Sequence, residues 1–348
     1  MLIAIGCGEK TPFPSDLPAP VYGGIDTNYV QVTPIWTSAN GVDFRRPQDV
    51  YVGYDQTVYI CDTDNDRVVQ VDVDGSFLAE YPVVHPVSIA QDRGLDLLVV
   101  CGDHVVVHGS GDSVDSTKYG NAVFRRRFRS GSDFEKVWQA DSPYHSVPIQ
   151  GGVRWVDAAF YGIAASPFAT KEYYLTDFWK GRIIAFTMDD QPAATYLQEG
   201  VGLGRTSFPT DLGVYTIAGQ SYAALAQGAG NLGVQLFSLP NFTPLYSDAD
   251  TLPALITFAA RAYKDIAVDE LSNFYLLLDS PDPLLNVHNY FYKFNRRGEL
   301  LLSFGTLGSG ERQFRNPTGI AYLEGVIYIA DRDNNRIVRY QLATDARQ

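Results

Sequence analysis

The hexapeptide Asp331-Arg-Asp-Asn-Asn-Arg336 has a near-copy at Asp62-Thr-Asp-Asn-Asp-Arg67, and both sit inside a longer matching frame. Phe314-x-x-Pro317 leads through Val326-Ile-Tyr-Ile-Ala-Asp331 to Arg336-Ile-Val-Arg-Tyr340. Phe44-x-x-Pro47 leads through Val58-Tyr-Ile-Cys-Asp62 to Arg67-Val-Val-Gln-Val71. A third copy, Tyr173-Tyr-Leu-Thr-Asp177-Phe-Trp-Lys-Gly-Arg182-Ile-Ile, keeps the same Asp-to-Arg spacing. A repeat that spans the chain restricts the fold to an array, because one such unit cannot bury its apolar face alone. Short β-branched and aromatic runs bounded by Asp, Asn and Gly predict strand, turn, strand in every copy.

These units resemble the NHL repeat family, whose repeats are four-stranded blades of a β-propeller. The family pattern ends an inner strand in Asp and opens the next with Asn-Arg-Ile or similar. Asn335-Arg336-Ile matches it best; Asp66 and Gly181 take the Asn slot in the other two copies. Six blade starts are predicted: Pro47-Gln-Asp-Val, Pro86-Val-Ser-Ile, Val156-Asp-Ala-Ala, Pro209-Thr-Asp-Leu, Lys264-Asp-Ile-Ala and Pro317-Thr-Gly-Ile. Residues 108–155 leave room for a seventh. The fold class expected is all-β, a six-bladed propeller of four-stranded antiparallel blades. The last blade ends after three strands at Tyr340-Gln-Leu, and Tyr29-Val-Gln-Val-Thr-Pro-Ile-Trp-Thr occupies the place of the missing fourth. An N-terminal strand pairing with the C-terminal blade leaves no open sheet edge.

Composition narrows the partners. The chain has 348 residues and a formal charge of −13, whereas phosphate-backbone binding needs clustered Lys and Arg, so nucleic acid is not an expected partner. The basic run Arg125-Arg-Arg-Phe-Arg129 alternates within a predicted strand and reads as a solvated sheet face, with an acidic-partner patch as the other reading. The three cysteines form no disulfide framework. Cys61 and Cys101 hold equivalent positions on neighbouring blades. Adjacent sheets lie about 10 Å apart, beyond the roughly 7 Å between Cα atoms that a bridge tolerates, so buried thiols are expected.

Two segments are predicted: residues 1–26 as a signal remnant and flexible tether, and 27–348 as the propeller. Met1-Leu-Ile-Ala-Ile-Gly-Cys7 is apolar up to its cysteine, and Gly8 to Pro20 is Pro-rich and polar, the composition of an extended linker. The arrangement resembles the end of a bacterial lipoprotein signal with Gly6 before a lipidated Cys7. That resemblance implies a lipid anchor and a bacterial cell-envelope location.

Strand order supplies a functional face without family knowledge. Labelled a to d from the central channel outward, successive antiparallel strands place the a–b and c–d loops on one side and the b–c and d–a loops on the other. The long connections, 108–121, 139–155, 199–208 and 279–289, all fall in the second class, and insertions on one side of an array mark its binding side. Arg45, Arg46, Tyr144, His145, Trp155, Phe178, Trp179, Arg312 and Arg315 lie on it, and aromatics with Arg dominate binding hot spots. A protein is the partner expected there.

The chemistry sought in the motifs is sparse. The acidic 62–66 stretch has Arg67 and Val73 where an EF-hand loop needs Gly and Glu. Asp62–Arg67, Asp177–Arg182 and Asp331–Arg336 therefore read as structural turns. His104 and His108 would lie about 13 Å apart on a strand, too far to share a metal. Relatives of NHL proteins include a zinc-dependent lyase and calcium-dependent lactonases with ligands at the channel mouth. His85, His145 and His288 are the candidates for such a site, and zinc or calcium belongs to that reading alone. No Gly-x-Ser-x-Gly elbow occurs. The leading expectation is a non-enzymatic binding or scaffold propeller that needs no cofactor. The alternative is a propeller lyase or lactonase-like hydrolase.

Overall fold

The computed structural model describes residues 29–102, 104–108, 115–119, 121–140, 144–149, 152–157, 160–168, 172–229, 232–245, 255–256, 263–278 and 290–342. Its strands form six antiparallel blades. Blade 1 is Asp49–Val52, Val58–Asp62, Arg67–Val71 and Phe77–Pro82; blade 2 is Pro86–Gln91, Leu97–Cys101, Ala122–Arg126 and Glu135–Gln139. Blade 3 is Phe160–Ala165, Tyr173–Asp177, Arg182–Phe186 and Pro192–Tyr196. Blade 4 is Pro209–Ile217, Gln220–Gln227, Val234–Ser238 and Thr243–Pro244, with Leu255–Ile256 pairing the other end of its third strand. Blade 5 is Tyr263–Val268, Phe274–Leu278, Phe291–Phe294 and Leu300–Phe304.

Blade 6 joins the two ends of the chain: Pro317–Leu323, Val326–Asp331 and Arg336–Leu342 are completed by Tyr29–Trp36. Tyr29 pairs with Leu342 and Trp36 with Ile337. Arg312 donates to the Tyr29 carbonyl, and Arg339 donates to the Pro34 carbonyl at 3.0 Å while covering the Trp36 ring. The closing strand is thus paired on its inner edge and held by two arginines, one from the connection between blades 5 and 6 and one from its partner strand.

The six-blade count holds, and one blade start needs correction. The third blade starts at Phe160, not Val156, because Tyr144–Ile149 and Gly152–Asp157 pair as a separate hairpin. The described strands of residues 108–155 form no seventh blade: His104–His108 and Asp115–Tyr119 form another hairpin, and the strands between the two hairpins belong to blade 2. The alternating aromatic and β-branched pattern of 144–157 has strand periodicity, and periodicity alone does not distinguish a hairpin from a blade strand.

Apolar residues gather between blades rather than around the axis. Among the described residues six buried clusters occur, one at each junction. Between blades 5 and 6, for example, Tyr275, Leu277, Phe291 and Phe304 meet Ile327, Ile329, Val338 and Tyr340. Aromatic side chains suit this packing because each covers a large area with few rotors. Cys61 and Cys101 are free, buried members of the cluster between blades 1 and 2, and burial pushes both thiols up. Among the described residues no helix is long and apolar enough to cross a membrane.

Candidate functional site

The channel wall is built from one recurrent position, the third residue of each blade start. It carries Asp49, Ser88, Gly162, Asp211, Asp265 and Gly319 around the ring. Four of these reach the next blade. Asp49 accepts from the Ile89 amide at 2.9 Å, Ser88 from the Ile163 amide at 3.3 Å, Asp211 from the Ile266 amide, and Asp265 from the Ile320 amide at 2.5 Å. At the two remaining junctions the backbones approach too closely for a side chain. A Cβ on Gly162 would lie 2.7 Å from the Asp211 Cα, and one on Gly319 would lie 2.6 Å from the Asp49 Cα. The ring is therefore a set of inter-blade staples. Its signal was present in the sequence as the recurrent Pro-x-Asp or Pro-x-Ser start, but only the register shows what those residues bond.

The carboxyls of this ring titrate high. Burial, reinforced by the charge of Asp211, pushes Asp49 up to about 7 against two amide hydrogen bonds. Asp211 and Asp265 hydrogen-bond each other, which requires a shared proton. Burial and the charge of Asp211 raise Asp265 well above the usual carboxylate range and place the proton there. From the ring a cavity of about 400 Å³ runs past Tyr51, Tyr215 and Tyr322 to Tyr54, Arg93 and Pro167 of the a–b loops. It opens on the short-loop side, the opposite side from the long connections, and its lining was not anticipated from sequence.

The Asp–Arg turns occupy the other end. Asp62 accepts from Arg67 Nε, Asn65 Nδ2 and the Arg45 amide, each at 2.8 Å. Asp331 repeats this set with Arg336 Nε at 2.7 Å, Asn334 Nδ2 at 2.8 Å and the Arg315 amide at 2.7 Å. Asp177 takes Arg182 Nε at 2.9 Å. In blades 1 and 6 the last residue of the turn also reaches the next blade: Asp66 accepts from the His85 amide and Asn335 from the Arg46 amide, both at 2.8 Å. The family's Asn slot thus serves as a link between blades.

Around this mouth the structure brings some candidates together and separates others. Phe178 and Trp179 pack edge to face at 5.0 Å, and both contact Phe208, at 5.0 and 5.6 Å. Tyr161 of the blade 3 inner strand joins them through Phe178 at 5.0 Å. Phe178 and Trp179 remain half-buried and Tyr161 is exposed. Arg45, Arg46 and Arg315 are exposed at the entries to blades 1 and 6. Arg312 is instead committed to the Tyr29 carbonyl and the Phe304 ring. Tyr144, His145 and Trp155 belong to the 144–157 hairpin, of which the backbone alone is described. His85 enters blade 2, and His288 lies outside the described residues, as does Cys7. Among the described residues no three His, Cys, Asp or Glu side chains group as metal ligands.

The basic run differs from both readings given it above. Arg125 is 2% exposed. Its guanidinium meets Asp92 at 2.6 Å, Asp190 at 2.8 Å and Asp96 at 3.5 Å, tying blade 2 to blade 3. Arg126 lies over the Tyr81 ring and Arg127 pairs with Glu135. The acidic partner of this run is the protein's own loops.

Comparison with known proteins agrees with the architecture. No curated protein sequence matches the chain. Similar solved structures include virginiamycin B lyase from Staphylococcus aureus (TM-score 0.55, 12% identity, 90% of this chain and 100% of that one). An auxiliary nutrient binding protein from Bacteroides ovatus is also similar (TM-score 0.57, 12% identity, 90% and 76%). A gluconolactonase from Xanthomonas campestris is a third (TM-score 0.52, 10% identity, 92% and 99%). At these identities the likeness is one of fold. The NHL repeat family matches residues 314–340, which run from the entry of blade 6 into its third strand. The chain is a six-bladed β-propeller carrying an NHL repeat in its closing blade.

Proposed function

We propose that this propeller is a non-enzymatic binding module, tethered to a bacterial envelope membrane through a lipidated Cys7, which presents its long-loop face to a partner. The observation that carries the reading is the cluster of half-buried Phe178, Trp179 and Phe208 with exposed Tyr161, on the face that also carries the exposed Arg45, Arg46 and Arg315 at the entries to blades 1 and 6. Aromatic groups that are packed yet still accessible, on a face that also carries guanidinium groups, have the character of an interface. The nutrient binding proteins among the structural neighbours are consistent with ligand binding on this scaffold. Tyr29 enters its blade beside Leu342, at the c–d end of the third strand, so the preceding chain approaches from the short-loop side. The tether then leaves the long-loop face pointing away from the membrane.

Membrane fractionation and capture from detergent-solubilised membranes test the two halves separately. Cys7→Ser should release the protein without changing its melting temperature. Trp179→Ala combined with Arg45→Ala or Arg315→Ala should abolish partner capture and leave attachment intact, whereas charge reversal at the exposed Asp72 of a short loop should not affect capture. The opposite pattern would place the working face at the membrane. The purified chain should keep no stoichiometric zinc or calcium after dialysis; a retained ion would favour the lyase or lactonase-like alternative.

A further inference from the structure

The cavity on the short-loop side of the channel has a wall, a mouth and a charged end, and no role yet. It measures about 400 Å³ and is lined by the inner strands of all six blades. The blade 4 inner strand runs along it from Asp211 to Thr216, about 16 Å of extended chain. Val52, Val214, Ile266, Val268 and Ile320 line its middle. Tyr51, Tyr54, Tyr215 and Tyr322 stand nearer the mouth. Two of these rings are fixed from behind, Tyr322 by stacking on Tyr275 at 5.2 Å and Tyr215 by stacking on Tyr222 at 5.5 Å. The mouth already seats one cation, since the Arg93 guanidinium lies 4.6 Å from the centre of the Tyr54 ring.

At the other end stand Asp49, Asp211 and Asp265, and Asp49 and Asp211 keep part of their surface open to the cavity. Elsewhere in the propeller a buried aspartate meets an arginine: Asp62 has Arg67, Asp331 has Arg336, and Asp92 and Asp190 share Arg125. The ring carboxyls differ. Their partners are backbone amides, Ser88 and one another. Among the described residues that line the cavity, Arg93 alone is cationic, and it belongs to the mouth. Carboxyls removed from water with no cation beside them keep their protons instead of ionising, as Asp49 and Asp265 do.

A cavity of this size, mostly apolar along its walls and with a few polar groups gathered at one end, has the form of a small-molecule site. Its end calls for positive charge. No three described His, Cys, Asp or Glu side chains group as metal ligands, so the carboxyls suit the diverging N–H donors of an ammonium rather than a point ion. Tyrosine faces attract a cation and pack against an apolar body.

We propose that the short-loop end of the channel is a second binding site, separate from the long-loop face, for a small organic cation. Its ammonium group sits among Asp49, Asp211 and Asp265, and its apolar or aromatic body lies between the aliphatic wall and the tyrosines of the mouth.

Benzylammonium, benzyl alcohol and benzoate share a body and differ in charge, and isothermal titration calorimetry on the full chain compares them. The titration is run at pH 8, above the value of about 7 at which Asp49 loses its proton. Benzylammonium should bind one to one and at least tenfold tighter than either of the others. Asp49→Asn should weaken it at least tenfold and leave benzyl alcohol unchanged. Arg93→Glu changes an exposed residue of the mouth and should tighten benzylammonium threefold or more, which keeps the test open if Asp49→Asn does not fold. Trp179→Ala, on the opposite side, should have no effect. The proposal is overturned if benzylammonium gives no saturable heat, in which case the channel holds water alone. It is overturned equally by similar affinities for the three probes, by an unchanged affinity in folded Asp49→Asn or in Arg93→Glu, or by loss of binding in Trp179→Ala. Partner capture at the long-loop face is a separate measurement, and neither result decides the other.

Discussion

The turns of blades 1 and 6 and the turn of blade 3 share a frame and differ in what fills it. In blades 1 and 6 the aspartate is buried and holds an arginine Nε, an asparagine amide and a backbone amide from the preceding d–a loop. Arg336 goes on to donate to the Ser309 and Gln313 carbonyls at 2.7 and 2.8 Å, and Arg67 to Glu80 at 2.6 Å. In blade 3 the frame is thinner. Asp177 takes Arg182 and, at 3.3 Å, the Lys180 amide, and the Arg182 side chain is 31% exposed. Gly181 replaces the residue that links one blade to the next, and aromatics fill the turn. Blades 1 and 6 flank the junction where the chain closes on itself, so their turns are tied into the ring. Blade 3 lies opposite, and its turn is free to present side chains.

The largest effect expected concerns that closing junction. Deleting Tyr29–Trp36 removes a paired strand, exposes Ile337, Val338 and Tyr340, and opens an edge on blade 6. Loss of the cooperative transition, or aggregation on expression, is the expected outcome. An unchanged melting temperature would show that the N-terminal strand contributes nothing to closure.

A pair of substitutions separates the tied turns from the free one. Asp331→Ala leaves Arg336, Asn334 and the Arg315 amide without their acceptor and should cost about 3 kcal/mol, in the range for breaking a buried ion pair. Asp177→Ala should cost about 1 kcal/mol, because water reaches Arg182 and replaces the lost bond. Chemical denaturation measures both. Equal losses would erase the distinction between the tied turns and the free one.

The channel ring gives a pH signature. The carboxyl of Asp49 is raised from 3.8 in the unfolded chain to about 7 in the propeller. The folded state therefore holds the proton more tightly. The stability this contributes is fully present below pH 3.8 and is lost as pH rises through 7. Asp211 is the charged group that raises Asp49, while Ser88 and the Val50 and Ile89 amides hydrogen-bond it. Asp49→Asn should shrink the stability difference between pH 5 and pH 8 by ~3 kcal/mol, from roughly 1.4 kcal/mol per unit over about two titrating units. An unaltered pH slope would mean that Asp49 is ionised in the folded state across that range.

The repeat, the closure and five of the six blade starts were legible in the sequence, because each depends on local pattern: a proline, an alternating run, an Asp-to-Arg spacing. What escaped depends on residues distant in the chain. Nothing near Arg125 announces Asp190, and the three aspartates around it come from two loops that only the ring brings together. The staple ring was visible as a column of Asp and Ser but not as a set of bonds to the next blade. The blade 3 start was misplaced because a hairpin and a blade strand share the same alternation. Phe178 and Trp179 were legible as aromatics in a turn that is elsewhere polar; Tyr161 and Phe208, which complete their cluster, were not.

Trp179→Ala decides whether that cluster is core or interface. Trp179 contacts Phe178 and Phe208 and remains half-buried. If it serves packing alone, Trp179→Ala should behave like a core truncation and cost about 3–5 kcal/mol. If it presents a binding surface, the loss should be nearer 1 kcal/mol, the size of one or two edge-to-face contacts. Partner capture should then fall by far more than stability does. Trp179→Phe should separate the same two cases, retaining most of the packing and part of the binding. A large, equal loss of both properties in Trp179→Ala would return the cluster to the core. Blade 3 would then differ from blades 1 and 6 only in how its turn is packed, not in what it offers to a partner.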